Sequence, residues 1–175
     1  MGLIEDLWLF FGSILEQIQG DPIVYGPVFF IYAIAAAVFL PIPVEFGLLL
    51  SPATPMVIKA LILGLGKAAG SILVFYIGVN VEGPIIRFTE RWNWFRKLVD
   101  ACQRFVEKFG YLGLYVILSI PFMVDTVPIY LFSIFNKGGK TLNVRYFALV
   151  NFAAGVTRAA IIYAAYELFN VILIN

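Results

Sequence analysis

Glu45, Lys67, Asp125 and Arg158 each lie inside an apolar stretch of this 175-residue chain, whose residues are 62% apolar and only 13% charged. At the centre of a bilayer each charge would cost about 2.5 to 3.5 kcal/mol on insertion scales, so four unpaired charges would cost roughly 10 to 14 kcal/mol. That equals the whole stability of an ordinary fold. The four therefore have to pair with one another, face a hydrated cavity, or do both. They also come as two matched sets. Glu45 follows the prolines of PIPVE (41–45), and Lys67 sits near the middle of the apolar segment after it; Asp125 lies in PFMVDTVP (121–128), and Arg158 sits near the middle of the segment after that.

So apolar a composition departs far from that of a soluble domain and predicts an all-α integral membrane protein. The net charge is only +1, but the charges are unevenly placed. Residues 1–54 carry no Lys or Arg, whereas 82–109 carry Arg87, Arg91, Arg96, Lys97, Arg104 and Lys108, and 136–145 carry Lys137, Lys140 and Arg145. The positive-inside rule puts 82–109 and 136–145 in the cytoplasm of a multi-pass protein of the cell membrane, with both termini outside. A single cysteine, Cys102, and the absence of histidine argue against a disulfide, a soft-metal site or redox chemistry. No nucleophile and base pair and no metal cluster stands out, so an enzyme, a cofactor, a metal and a nucleic-acid partner are not expected.

Glu5 and Asp6 precede the first apolar run without a basic residue, the wrong start for a cleavable signal peptide. Leu3, Leu7, Trp8, Phe11, Ile14, Leu15 and Ile18 fall on one helical face, predicting an amphipathic helix over 1–20 that lies in the membrane interface or packs on the protein's own helices. Residues 21–175 read as a single transporter-like domain. Within it, 23–40 are uncharged and just long enough to cross about 30 Å of hydrocarbon. Residues 41–54 are too few to cross again and too rich in proline for a second full helix, so a hairpin that enters and leaves by one face fits better. Residues 55–81 must span, and Lys59 near their start reads as a snorkelling anchor. In 82–109, Phe88, Trp92, Phe95, Val99, Cys102, Val106 and Phe109 recur at spacings of four and three, predicting a cytoplasmic amphipathic linker. Its aromatic face would meet the acyl boundary, and Arg87, Arg91, Arg96 and Lys97 would contact anionic lipid headgroups.

The second half repeats the plan. Two short apolar arms in 110–135 flank Pro121, Asp125 and Pro128, and a long apolar stretch, 144–174, carries Arg158. The expected architecture is an inverted repeat of two re-entrant helical hairpins, each followed by a long transmembrane helix (23–81 and 110–174), the arrangement that places substrate sites near the midplane in many secondary transporters. Pro41, Pro43, Pro121 and Pro128 mark the hairpin tips. Two acids facing two bases would be neutral at rest and could open to admit an anionic headgroup bound by Lys67 and Arg158. Glu45 and Asp125 would take up protons, because desolvation favours a neutral carboxyl unless a base holds it ionised. Gly64, Gly66, Gly70 and Gly155 would allow close backbone approach and leave room for substrate, with Ser119, Thr126, Tyr130 and Asn151 as further cavity liners. Two internal salt bridges that only fix helix packing are the alternative.

FLPIPVEFGLLLSPA (39–53) followed by GLGKAAGSILVFYIG (64–78) resembles the first half of the DedA/VTT membrane-protein superfamily, with its P-x-P-x-E hairpin and glycine-rich helix ending in Y-x-I-G. KFGYLGLYVILSIPFMVDTVPIYLFSIF (108–135) and RYFALVNFAAGVTRAA (145–160) resemble its second half. The resemblance implies inverted re-entrant hairpins (the VTT domain), with Glu45 as the hairpin acid, and movement of lipids between leaflets. Bacterial relatives are linked to recycling of polyprenyl-phosphate carriers and to proton-dependent membrane fitness, and eukaryotic relatives resemble scramblases. The chain departs from the pattern where bacterial members place arginines around the second proline: Leu118 and Val124 stand in that neighbourhood beside Asp125, and Lys67 replaces a neutral or acidic residue. Lys67 and Arg158 would then supply positive charge from the long helices. The functional expectation is a proton-coupled transporter or flippase of an anionic polyprenyl-phosphate or phospholipid, with membrane lipids as partners and a homo-oligomer left open. One rival is a small proton-coupled exporter of cationic drugs, which two internal bases would oppose. The other is a non-transporting membrane adaptor acting through the helix at 84–109.

Overall fold

The computed structural model describes residues 10, 12–18, 20–39, 44–89, 93–136 and 141–174, with side chains described except at 82–89, 93–96, 98, 99 and 170–174. The described residues are helical and contain no strand: α1 (Pro22–Val38), α2 (Glu45–Leu49), α3 (Met56–Thr89), α4 (Asn93–Ser119), α5 (Thr126–Ile134) and α6 (Val144–Ile174). Helix, break, short helix and long helix thus follow one another twice.

Local chemistry sets the boundaries. Asp21 caps α1, its Oδ1 accepting from the Ile23 and Val24 amides at 2.9 and 3.4 Å, and Pro22 fills the first turn, where no amide is needed. After α2 the chain turns through Ser51, at φ 58°, and the Ser51 and Thr54 hydroxyls pair at 2.7 Å. Gly110 adopts φ 47° and ψ −134° within α4, a conformation that favours glycine, and so divides its amphipathic first part from the apolar arm that follows. The expected start of the second repeat at residue 110 coincides with this break.

Two stretches, Met56–Val81 and Val144–Phe169, are long and apolar enough to cross a membrane, and less than half of each is buried within the protein. Leu112, Val57 and Phe169, all more than 60% exposed, add to an outward apolar surface. The core helix of a soluble protein would be mostly covered; these observations support a membrane protein.

Inside, the apolar side chains form two cores. One gathers Tyr25, Phe29, Tyr32, Val44, Leu48 and Leu63, and takes Ala159 and Ile162 from α6. The other gathers Val74, Phe75, Leu114, Leu118, Phe132 and Phe147, and takes Ala154 from α6. Lys67 lies between Leu63 and Val74 on α3, and Arg158 lies between Ala154 and Ala159 on α6. Both charges stand where the two cores meet.

Small residues allow the helices to close in around that point. A Cβ on Gly155 would fall 3.0 Å from Gly64 Cα and 3.1 Å from Lys67 Cδ, so α3 and α6 cross glycine on glycine beside the charges. A Cβ on Gly66 would lie 2.5 Å from Ala33 Cβ, and one on Gly70 2.7 Å from Ala37 Cβ, so two small residues four apart on α3 pack on two on α1. The glycines serve close approach of the helices.

One expectation needs correction. Helix α3 continues to Thr89 without a break, so the connection begins later than residue 82. On the predicted aromatic face of the linker, the side chains of Phe88, Trp92, Phe95 and Val99 lie outside the described residues; Val106 is buried in the second core, Cys102 is partly buried and Phe109 is exposed, while the neighbouring Phe105 ring meets Phe132 edge-on at 5.9 Å. Of the predicted helix over 1–20, residues 1–9 lie outside the described residues; 12–17 are helical, and Leu15 is buried in the first core.

A branched side chain at Gly155 would force the helix crossing apart. Gly155→Val is expected to lower stability by about 1 to 3 kcal/mol, read as a fall in the thermal unfolding midpoint in detergent, whereas Gly12→Ala, with nothing within 4 Å of the added carbon, leaves it unchanged.

Candidate functional site

Neither acid could find a base without the two breaks. Glu45 is the first residue of α2 and Asp125 immediately precedes α5, so both carboxylates leave the chain where it has abandoned a long helix. Lys67 and Arg158 project from the two long helices. The structure brings all four together with 0 to 3% of each residue exposed.

Lys67 Nζ donates to Asp125 Oδ1 at 3.1 Å and to the Leu118 carbonyl at 3.4 Å. Arg158 takes the centre. Its Nη1 donates to Glu45 Oε1 and to the Met123 carbonyl, both at 3.1 Å, and its Nε donates to the Leu118 carbonyl at 3.0 Å. Its Nη2 lies 2.8 Å from Asp125 Oδ1, an ion-pair contact whose angle misses a hydrogen bond. Glu45 Oε1 also accepts the Phe122 amide at 2.9 Å, while Glu45 Oε2 has no hydrogen-bond partner among the described residues.

Two charges of each sign make the cluster neutral, and the pairing crosses the halves of the chain. Lys67 of the first half holds Asp125 of the second, and Arg158 of the second holds Glu45 of the first as well as Asp125. The same contacts satisfy the non-helical backbone between α4 and α5. The carbonyls of Leu118 and Met123 and the amide of Phe122 would otherwise stand unpaired, which a lipid-facing segment does not tolerate. Thr126 adds a further tie, its hydroxyl donating to the Ala36 carbonyl of α1 at 2.9 Å.

The four charges are buried, and none of them lines either of the two pockets bordering α2. Space lies instead on either side of α2. A pocket of about 270 Å³ is bounded by Leu15, Glu16, Tyr32, Phe46 and Leu50, and one of about 530 Å³ by Leu48, Met56, Lys59, Ile162 and Tyr163. Both pockets border α2, the first at Phe46 and Leu49 and the second at Leu48 and Leu49. Two side chains pin it. The Tyr25 hydroxyl donates to the Gly47 carbonyl, and Lys59 Nζ donates to the carbonyls of Leu48, Leu50 and Ser51 at 2.6, 3.0 and 3.4 Å. Lys59 is only 6% exposed, so it caps the end of α2 rather than snorkelling to the surface.

The remaining predicted positions are less central. Pro121 lies in the second break, whereas Pro128 is in the first turn of α5, where a missing amide starts a helix instead of interrupting it. Pro41, Pro43 and Arg91 lie outside the described residues, as do the side chains of Arg87 and Arg96; Lys97 is exposed. Ser119 and Asn151 each donate to a backbone carbonyl one turn back, and Tyr130 is half-buried. The sequence had offered no sign of the Leu118, Phe122 and Met123 backbone groups, because nothing in those side chains distinguishes them.

No protein-family model, curated protein or solved structure matches this chain significantly. The resemblance to the DedA/VTT superfamily therefore rests on the sequence motifs alone, and the chemistry has to be argued from the cluster itself.

Removing one member of such a cluster strands charge in the interior. Arg158→Met is expected to cost about 3 to 5 kcal/mol because it leaves Glu45 and Asp125 with Lys67 alone. Arg158→Lys does not restore stability, since one ammonium cannot reach both acids and both carbonyls; thermal unfolding in detergent checks both variants. Lys59→Met leaves three carbonyls at the end of α2 without their donor and is expected to cost about 1 to 3 kcal/mol in the same measurement.

Proposed function

We propose that this chain is a multi-pass membrane protein of the DedA/VTT type that moves an anionic lipid, a polyprenyl-phosphate or a phospholipid, between leaflets in a proton-dependent way. In this reading the two proline-broken segments are re-entrant hairpins of opposite orientation. The basic regions 82–109 and 136–145 face the cytoplasm, and the charged cluster lies near the midplane.

The observation that carries the reading is a neutral, closed set of two acids and two bases, drawn from both halves of the chain and gathered where its broken segments meet. Packing alone is a poor reason to keep it. Replacing a buried ion cluster with well-packed apolar residues is often neutral or stabilising by about 1 to 4 kcal/mol. A purely structural cluster would also gain by pairing Glu45 Oε2, which has no partner among the described residues. Neutrality in the closed state and two bases ready to be uncovered suit an anionic cargo that enters when a carboxylate is protonated. A cationic cargo fits less well, since Lys67 and Arg158 both stand against Asp125.

Reconstitution tests the proposal. In proteoliposomes carrying a fluorescent anionic phospholipid, the protein should speed translocation between leaflets. Glu45→Gln and Asp125→Asn should each reduce the rate to that of protein-free vesicles while keeping a monodisperse, thermally cooperative protein; Asp100→Asn, at an exposed position of α4, should have no effect. Wild-type rates in both cluster variants would reject the mechanism.

A further inference from the structure

Glu45 Oε1 is held in the way an anionic ligand would be. It accepts from a guanidinium nitrogen, Arg158 Nη1 at 3.1 Å, and from a backbone amide, Phe122 N at 2.9 Å. Phe122 itself lies at φ 60°, a left-handed conformation rarely adopted by phenylalanine. The other carboxylate oxygen of Glu45 is buried with no partner among the described residues, so the acid uses half of its accepting capacity at a site 0% exposed. Asp125 is placed differently: its Oδ1 stands between Lys67 Nζ at 3.1 Å and Arg158 Nη2 at 2.8 Å.

We propose that Arg158 Nη1 and the Phe122 amide form an oxyanion-binding site, that Glu45 occupies it as a built-in plug, and that Asp125 is the permanent counter-ion. The ligand is an oxyanion of the phosphate, sulfonate or carboxylate class, carried by an amphiphile. Protonating Glu45 removes the charge that competes for the site, leaves the cluster at +1 and frees one guanidinium donor and one amide for the incoming anion. Two pockets border α2, the helix that carries Glu45, at Phe46, Leu48 and Leu49. The groups bearing on Glu45 come from every neighbouring element: Tyr32 of α1, Lys67 of α3, Asp125 before α5 and Arg158 of α6. The inference rests on the reading of the cluster as a transport site, and it goes further by dividing the two acids into a displaceable one and a fixed one.

Binding, measured apart from transport, tests it. The full chain in neutral detergent is titrated calorimetrically at pH 8 and pH 6 with decanesulfonate, whose charge does not change over that range, and with inorganic sulfate and decyltrimethylammonium in separate arms. Wild-type protein should bind decanesulfonate about tenfold more tightly at pH 6 than at pH 8, the scale of an ordinary coupling between two sites. Glu45→Gln should bind at pH 8 as tightly as wild type does at pH 6 and lose the pH dependence, even though the same variant fails to translocate lipid. Asp125→Asn should keep the pH dependence. Sulfate binding as tightly as decanesulfonate supports the oxyanion site and assigns it to a free anion; decanesulfonate alone assigns it to a lipid. The proposal is overturned if Glu45→Gln binds more weakly than wild type at both pH values, if the cation binds in place of the anion, or if Asp125→Asn is the variant that abolishes the pH dependence. Should Glu45→Gln not fold, the wild-type titration decides alone: no tightening on acidification overturns the plug. Wild-type transport that is lost in Glu45→Gln and Asp125→Asn, together with pH-independent, weak binding in every protein, would reject the plug and leave the transport reading standing.

Discussion

One guanidinium holds the broken half of this protein in shape. Arg158 reaches from the middle of a long helix to Glu45, Asp125 and the carbonyls of Leu118 and Met123, and through Glu45 it also fixes the amide of Phe122. A chain that stops being helical inside an apolar environment must find partners for its freed peptide groups, and an arginine, with five donors in a planar fork, can supply several from a single position. The buried charges and the broken segments are therefore a single feature. Each would be untenable alone, and together they close on themselves with no net charge.

The rest of the fold gives that fork somewhere to sit. Two apolar cores meet at the charged layer, and α3 and α6 approach at Gly64 and Gly155 so closely that Lys67 and Arg158 share one interior space. The short helix α2, pinned by Tyr25 and Lys59, carries Glu45 into the layer.

Much of this was legible in the residues. A charge in an apolar run stands out by its cost, so Glu45, Lys67, Asp125 and Arg158 could be named and expected to meet; proline and glycine likewise betray breaks, and the division at Gly110 is where the pattern placed it. What stayed hidden depends on tertiary geometry. The sequence could not say that Arg158 would serve both acids, since pairing is decided by which side chains the crossing helices bring within reach. Lys59 looked like a surface anchor because its partners are backbone carbonyls, which carry no sequence signal. The extension of α3 to Thr89 was missed because a helix, once formed, propagates through polar residues at little cost. The apolar face of α4 was seen, but periodicity reveals a face and not what covers it; the second core covers Val106, while Phe109 stays exposed.

The central claim is that the two breaks, and the charges that satisfy them, lie at membrane depth. Nitroxide labels at Phe46 and Ile120, both about half exposed beside the two breaks, measure this directly in liposomes once Cys102 is replaced by serine. The account predicts that both labels collide readily with dissolved oxygen and are shielded from a water-soluble nickel chelate, at depths near the middle of the hydrocarbon layer. Free access of the chelate to either label, at headgroup depth or beyond, would contradict it.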